Sequence, residues 1–264
     1  MSDFSSPPSS PPPPPPNMPP PPPNMGPPPG YIAYGGPGAA MSGSFSRVRG
    51  LAKALVVLLA IFIPFQLLGI VGLFQLRNKA RAFLDGSLSE SDFTSASSAN
   101  LSSISGLLVI PIAVITIILM FRMARNLRVL GRTGAIWAPG WAIGGWFCPP
   151  CAIYAIPWLM FRELWKGSDP AVAPNDPRWK TGPVSPLVNV WWVLYGLVPL
   201  IGFATSASFL SNVGSFDAEA VARKFNDYMA INVVLALVGV ATAVVYLMLI
   251  RQLAARHTTA TGEV

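Results

Sequence analysis

Few side chains in this 264-residue sequence could do covalent chemistry, and their spacing narrows what that chemistry would be. Cys148-Pro149-Pro150-Cys151 places two thiols three residues apart, a spacing that can cycle between dithiol and disulfide. Four-helix membrane oxidoreductases that couple thiols to quinones use such pairs, but they relay electrons through a second pair. This chain has two cysteines in all, so small packing residues are the competing reading. His257 is the single histidine and falls in a polar C-terminal stretch, which argues against a histidine-based triad or a zinc site. Gly140-Trp141-Ala142-Ile143-Gly144-Gly145 lacks the Lys-Ser/Thr that a phosphate loop needs. No metal and no cofactor is expected, and the chain does not read as an enzyme.

Arg122, Arg125, Arg128 and Arg132 recur at three- and four-residue spacing, one basic stripe if a helix runs through them. Such a stripe holds a membrane protein in its orientation. It also suits anionic lipid headgroups, at about 1 kcal/mol for each arginine near the surface.

The elements that must carry these residues are membrane helices. Hydrophobic residues make up 52% of the chain and charged ones 11%, with a mean hydropathy of +0.50. A soluble domain is about 25% charged, so this chain lacks the charge to clothe a water-facing surface. Collagen, a disulfide scaffold and a large soluble enzyme are excluded. The net charge of +7 does not indicate nucleic acid, because the basic residues flank apolar runs of spanning length.

Residues 1–46 form a proline-rich head without apolar periodicity, expected to be disordered. Of the 29 prolines, 16 fall in residues 1–30, favouring extended polyproline II. Pro-Pro-Pro-Asn-Met occurs at Pro14–Met18 and again at Pro21–Met25. The head reads as a semi-rigid spacer, or as a ligand for a proline-reading membrane or cytoplasmic protein. It has neither the basic start nor the apolar run of a secretory signal.

The membrane domain covers residues 47–256, and 257–264 form a short polar tail. Ala54–Gln75, Leu101–Phe121, Leu187–Phe209 and Ala230–Ile250 are each long and apolar enough to span. Ile136–Phe161 is apolar too, but prolines and glycines break it. If it does not cross, Lys and Arg divide 13 to 5 between the two sides; if it crosses, they divide 9 to 9. The positive-inside rule therefore selects four spans with both termini cytoplasmic. Ile136–Phe161 becomes a re-entrant or interfacial segment packed against the bundle. A weak likeness between Phe62–Gly69 and Leu197–Gly202 suggests two parallel hairpins. The outer loops are expected to be partly helical, with Val221, Phe225 and Tyr228 on one face. The fold class is thus an all-α membrane bundle with a disordered head.

All eight tryptophans lie between Trp137 and Trp192, which suits anchoring at the membrane interface or an aromatic-lined pocket. A series of motifs runs through and just ahead of that stretch: Arg125-Asn126, Gly140-Trp141 with Trp146, Pro149, Pro157, Glu163-Leu164-Trp165, and Asn189-Val190-Trp191-Trp192. Over Arg122–Gly202 the chain resembles a bacterial, mainly actinobacterial, membrane family catalogued as domain of unknown function 4328. The resemblance implies a multi-pass protein of the bacterial inner membrane and implies no activity. That family usually has an Asn between its two prolines, where this chain has Cys151–Ile156.

The expected function is a non-enzymatic membrane scaffold or sensor, partnered by the bilayer, its anionic lipids and proteins that engage the head. The alternative is passive or lipid-directed transport through a groove formed by residues 136–161, since broken helices at membrane depth build sites in transporters. Thiol redox at Cys148 and Cys151 is third.

Overall fold

The computed structural model describes residues 43–98, 102–147, 150–197 and 217–263, and every regular element among them is helical. Among the described residues, three helices are long and apolar enough to cross a membrane: α1 (Arg49–Leu84), residues 106–129 of α3 (Ser102–Val129), and α8 (Met229–Thr261). Leu, Val, Ile and Phe dominate the middle of each, so none offers a wide polar face to water. Val57, Leu68 and Val71 of α1, Leu107 and Ile110 of α3, and Val234 and Leu237 of α8 are 50–69% exposed. So wide an apolar belt is a surface for lipid. A 33-residue helix is about 50 Å long. The end of α8 from Arg251 onward therefore stands clear of a hydrocarbon layer of about 30 Å.

The expected span Leu187–Phe209 is described only at its start. It begins as α6 (Pro186–Trp192), capped by the Ser185 hydroxyl accepting from Leu187 N–H, and continues through one π turn, Val193–Leu197. The remainder of that span, and the second copy of the suggested repeat beyond Leu197, lie outside the described residues.

Helices α3 and α8 both run antiparallel to α1. Arg122 Nη1 near the end of α3 donates to the Arg47 carbonyl before α1, and the Glu263 carboxylate after α8 accepts from Val48 and Arg49 N–H. The ends of α3 and α8 thus meet the start of α1, and this basic end carries Arg47, Arg49, Lys53, Arg122, Arg125 and Arg251. At the opposite end, α2 (Glu90–Ser98) and α7 (Ala218–Asp227) close over the end of α1. Phe83 stacks on Phe93 at 5.1 Å, and Arg77 and Arg81 both donate to Asn226 Oδ1. Both loop segments are helical as expected, and the face that α7 turns to α1 centres on Ala222. Ala222 is buried, with Phe225 and Ala218 packed beside it, while Val221 and Tyr228 are 37% and 45% exposed. Alanine fits the close approach to Ala80 that the larger side chains would prevent.

The proline- and glycine-broken segment turns through Pro139 and a single helical turn, α4 (Trp141–Gly144), into an 18-residue helix, α5 (Pro150–Gly167). Its buried Met160, Phe161 and Leu164 join the main core with Met120, Met123 and Leu127 of α3 and Leu249 and Leu253 of α8.

Candidate functional site

At the basic end, the residues leading into α1 are held by α3 and α8 together. Asn126, fully buried on α3, accepts from Ser46 N–H through Oδ1 at 2.7 Å and donates Nδ2–H to the Ser46 carbonyl at 2.8 Å. The same Nδ2 lies 3.0 Å from His257 Nε2, and His257 Nδ1 lies 2.7 Å from Ser168 Oγ. The Glu263 carboxylate then covers the start of α1, accepting from Val48 and Arg49 N–H at 3.0–3.2 Å, where free amides and the helix dipole favour an anion. Gly262 places it there. Its φ of 67° makes the left-handed turn that ends α8, with Glu263 N–H bonded to the Thr258 carbonyl.

Ser168, His257 and Asn126 have the outline of a nucleophile, base and orienting group, but the proton positions run the wrong way. Ser46 N–H fixes Asn126 Oδ1 as acceptor, so Nδ2 faces the imidazole and His257 Nε2 must accept. The imidazole proton therefore sits on Nδ1 and is donated to Ser168 Oγ. A base that donates to the hydroxyl cannot remove its proton. All three side chains are wholly enclosed, which denies a substrate access. Burial pushes the His257 pKa down to about 4, opposed by Glu263, so the ring is neutral at pH 7. His257, expected in a polar tail, is in fact a buried part of α8. Thr258, Thr259 and Thr261 bond back to carbonyls within the same helix, which lets a polar stretch stay helical.

Arg132 does not belong to the basic stripe. Gly131, at φ 67°, ends α3 one residue earlier, and Arg132 turns inward to 3% exposure. Its guanidinium donates to the carbonyls of Gly167, Asp169, Val172 and Ala173 at 2.8–3.2 Å, a use that leaves nothing for a lipid headgroup. Arg125 and Arg128 remain exposed. Asp169 pairs at 2.5 Å with Arg256, whose guanidinium also lies 5.2 Å from the Trp165 ring centre and donates to the Trp165 carbonyl. The chain from Ser168 to Ala173 is thereby fastened to both α3 and α8.

The tryptophan motifs meet where α5 packs on α6. Trp158 stacks on Trp192 at 4.4 Å, donates Nε1–H to Asn189 Oδ1 at 3.1 Å and lies beneath Arg162. Trp191 is buried, stacked between Tyr195 and Tyr246 with the Phe161 edge against it. Glu163 accepts from Ile136 and Trp137 N–H at 2.8 and 3.1 Å, tying the start of the broken segment to α5; burial still raises its carboxyl pKa. Trp141 is 41% exposed beside Trp137, Gly140 is exposed, and Pro157 is buried inside α5. Cys148 and Pro149 lie outside the described residues, as does the side chain of Cys151, so the thiol pair has no described geometry. No group of three His, Cys, Asp or Glu among the described residues could hold a metal.

Deeper among the helices lies a cavity of about 520 Å³ between α1, α3, the π turn after α6 and α8. The walls are Leu59 and Phe62, Val109 and Ile112, and Leu235 and Val238, with Gln66, Thr116 and Thr242 as polar points. Among the described residues of 136–161, Trp146 is the one that lines this hollow. Its floor is the Thr116–Tyr246 hydroxyl pair, 2.7 Å apart and buried. Tyr246 and His257 are 11 residues apart on α8, about 16 Å. Leu249, Ile250 and Leu253, with Met120 and Met123 opposite, fill that interval without a polar atom.

Of the residues quoted from the sequence, the structure brings together Asn126, Glu163, Trp165, Asn189, Trp191 and Trp192 as packing and anchoring groups. It adds Ser46, Ser168, His257 and Glu263, which no motif marked. Their signal was the apolar stripe Ile250, Leu253, His257, which runs past the last arginine, and Gly262 at the helix end. No curated protein and no solved structure matches the chain. The profile of a protein family described as a domain of unknown function (DUF4328) matches residues 85–255, from the end of α1 almost to His257. That is well over half of the sequence, and it includes the motifs at Asn126, Glu163 and Trp191. The chain belongs to the DUF4328 family.

Proposed function

We propose that this protein is a non-enzymatic membrane scaffold or sensor, with its basic end on the cytoplasmic side of a bacterial inner membrane and its proline-rich head as the partner-binding arm. The observation that carries this reading is the clamp on Ser46–Arg49, where the head joins α1. Asn126 of α3 holds Ser46 at both backbone groups, Arg122 holds the Arg47 carbonyl, and Glu263 after α8 holds Val48 and Arg49. An arm rooted in two other helices passes a load or a change in its partner directly to the bundle. The orientation follows from the charges gathered at that end. The polar constellation that could suggest hydrolysis is consumed in the clamp. Affinity purification in mild detergent tests the proposal. The full chain should recover a partner protein in stoichiometric amount, and a chain lacking residues 1–42 should lose it. Equal recovery by both chains removes the arm from the account.

A second reading, lipid-directed transport, is favoured by the cavity at membrane depth. A blind floor above a dry, packed interval supports a binding pocket more than a path through the bundle.

A further inference from the structure

The cavity has the size and lining of a ligand site. At about 520 Å³ it falls within the range of about 300–1,000 Å³ that ligand pockets occupy. Its lining residues on α8 run from Leu235 to Tyr246, about 16 Å along the helix axis. The hollow is walled mainly by apolar side chains, aliphatic and aromatic, contributed largely by the three long helices. The floor is closed by Tyr246, which bonds Thr116 and stacks on Trp191. Below it the core is dry, so nothing reaches the cavity from the basic end. Gly239 keeps one wall open. A β-carbon there would meet Gln66 Nε2 at 3.5 Å, an ordinary contact, so a small side chain fits and a longer one would have to enter the hollow.

We propose that this cavity binds one hydrocarbon chain of a membrane lipid, inserted tail-first with its terminal methyl against the Thr116–Tyr246 floor. Three observations argue for that occupant over a polar solute. The walls are apolar, the cavity lies between helices whose outer faces need lipid, and the closed floor excludes entry from the basic end. Water is a poor filler, because few of the wall atoms could hydrogen-bond to it. Burial of a methylene from water is worth about 0.8 kcal/mol, but a chain arriving from the bilayer is already in hydrocarbon. Its gain is close packing in a shaped cavity, so binding is selective for chain length and shape more than for headgroup. The inference deepens the lipid-directed reading, and it requires only that the long helices lie in a bilayer, not that lipid is moved.

The test uses the full chain in nanodiscs of phosphatidylglycerol and phosphatidylethanolamine carrying a small fraction of phospholipid with a diazirine at the acyl-chain end. After illumination, mass spectrometry maps the labelled residues. We expect adducts on the cavity wall, at Val109, Ile112, Thr116, Val238, Thr242 and Tyr246. Gly239→Leu and Ala113→Leu fill the hollow from opposite sides, and each should lower those adducts at least ten-fold while leaving adducts on outward-facing Ile110 and Val234 unchanged. Adducts confined to the outward residues of the wild type would show boundary lipid only and overturn the proposal. So would cavity adducts that persist at wild-type yield in both filled variants. A lipid-movement assay on the same nanodiscs separates the readings: cavity labelling without movement keeps the site and removes the transport function.

Discussion

Asn126 has one amide and three partners: Ser46 N–H, the Ser46 carbonyl and His257 Nε2. The amide can satisfy all three only while His257 is neutral, because a protonated Nε2 would point a second donor at Nδ2–H. That geometry gives a pH dependence with a defined sign. The unfolded ring titrates near 6.5 and the folded ring near 4, so the folded state binds fewer protons between those values. The contribution of this residue is complete above pH 6.5 and is lost as the pH falls toward 4. A shift of this size corresponds to about 3 kcal/mol. Thermal unfolding in detergent from pH 7 to pH 4 should therefore show a steeper loss in the wild type than in His257→Gln, which cannot titrate there. Parallel curves would mean that the ring is not held neutral by its surroundings. None of this was legible from the residues one at a time. A lone histidine among threonines gives no local sign of burial, and only its place on the stripe after Leu253 does.

At the scale of elements, the three long helices were readable from hydropathy, because a run of apolar residues long enough to span has few other ways to satisfy its backbone; the loop helix at Ala218–Asp227 was readable from the spacing of its apolar residues. What escaped was where helices stop and which face they bury. Arg132 follows Arg128 by four residues and so appeared to share its face, but Gly131 intervenes and the helix ends there. The residue beyond the cap serves a different element, the Ser168–Ala173 loop. A β-carbon on Gly131 would also collide with the Asn175 side-chain oxygen, so the turn and the loop are fitted to each other. Arg132→Met should cost about 3 kcal/mol or more, since it removes four charge-assisted hydrogen bonds and leaves buried carbonyls unpaired. Limited proteolysis offers a sharper reading than melting. Cleavage should become rapid between Asp169 and Arg178 in the variant while α8 stays intact. Wild-type resistance in that loop would show that other contacts hold it. On α7 the i, i+4, i+7 spacing marked Val221, Phe225 and Tyr228 as one face without saying what it packs on; the small Ala222 between them is the buried contact.

Across the whole molecule, two regions are kept apart by a dry core. One is an apolar cavity between the long helices, and the other is a hydrogen-bonded clamp at the basic end where Ser46–Arg49, α3, the Ser168–Ala173 loop and the C-terminal residues converge. Composition marked the long helices as apolar enough to span a membrane, but the convergence depends on residues up to 215 positions apart in sequence, beyond the reach of any local pattern. The central claim is that Ser46, Val48 and Arg49 are rooted in the bundle rather than trailing from it. Hydrogen–deuterium exchange of the full chain measures this directly, because those amides have no partner within α1 itself. Protection close to that of the early turns of α1 is the predicted result, lost at Ser46 in Asn126→Leu and at Val48 and Arg49 in Glu263→Ala. Free exchange of all three amides in the wild type would contradict the clamp, and with it the account of how the head is coupled to the membrane domain.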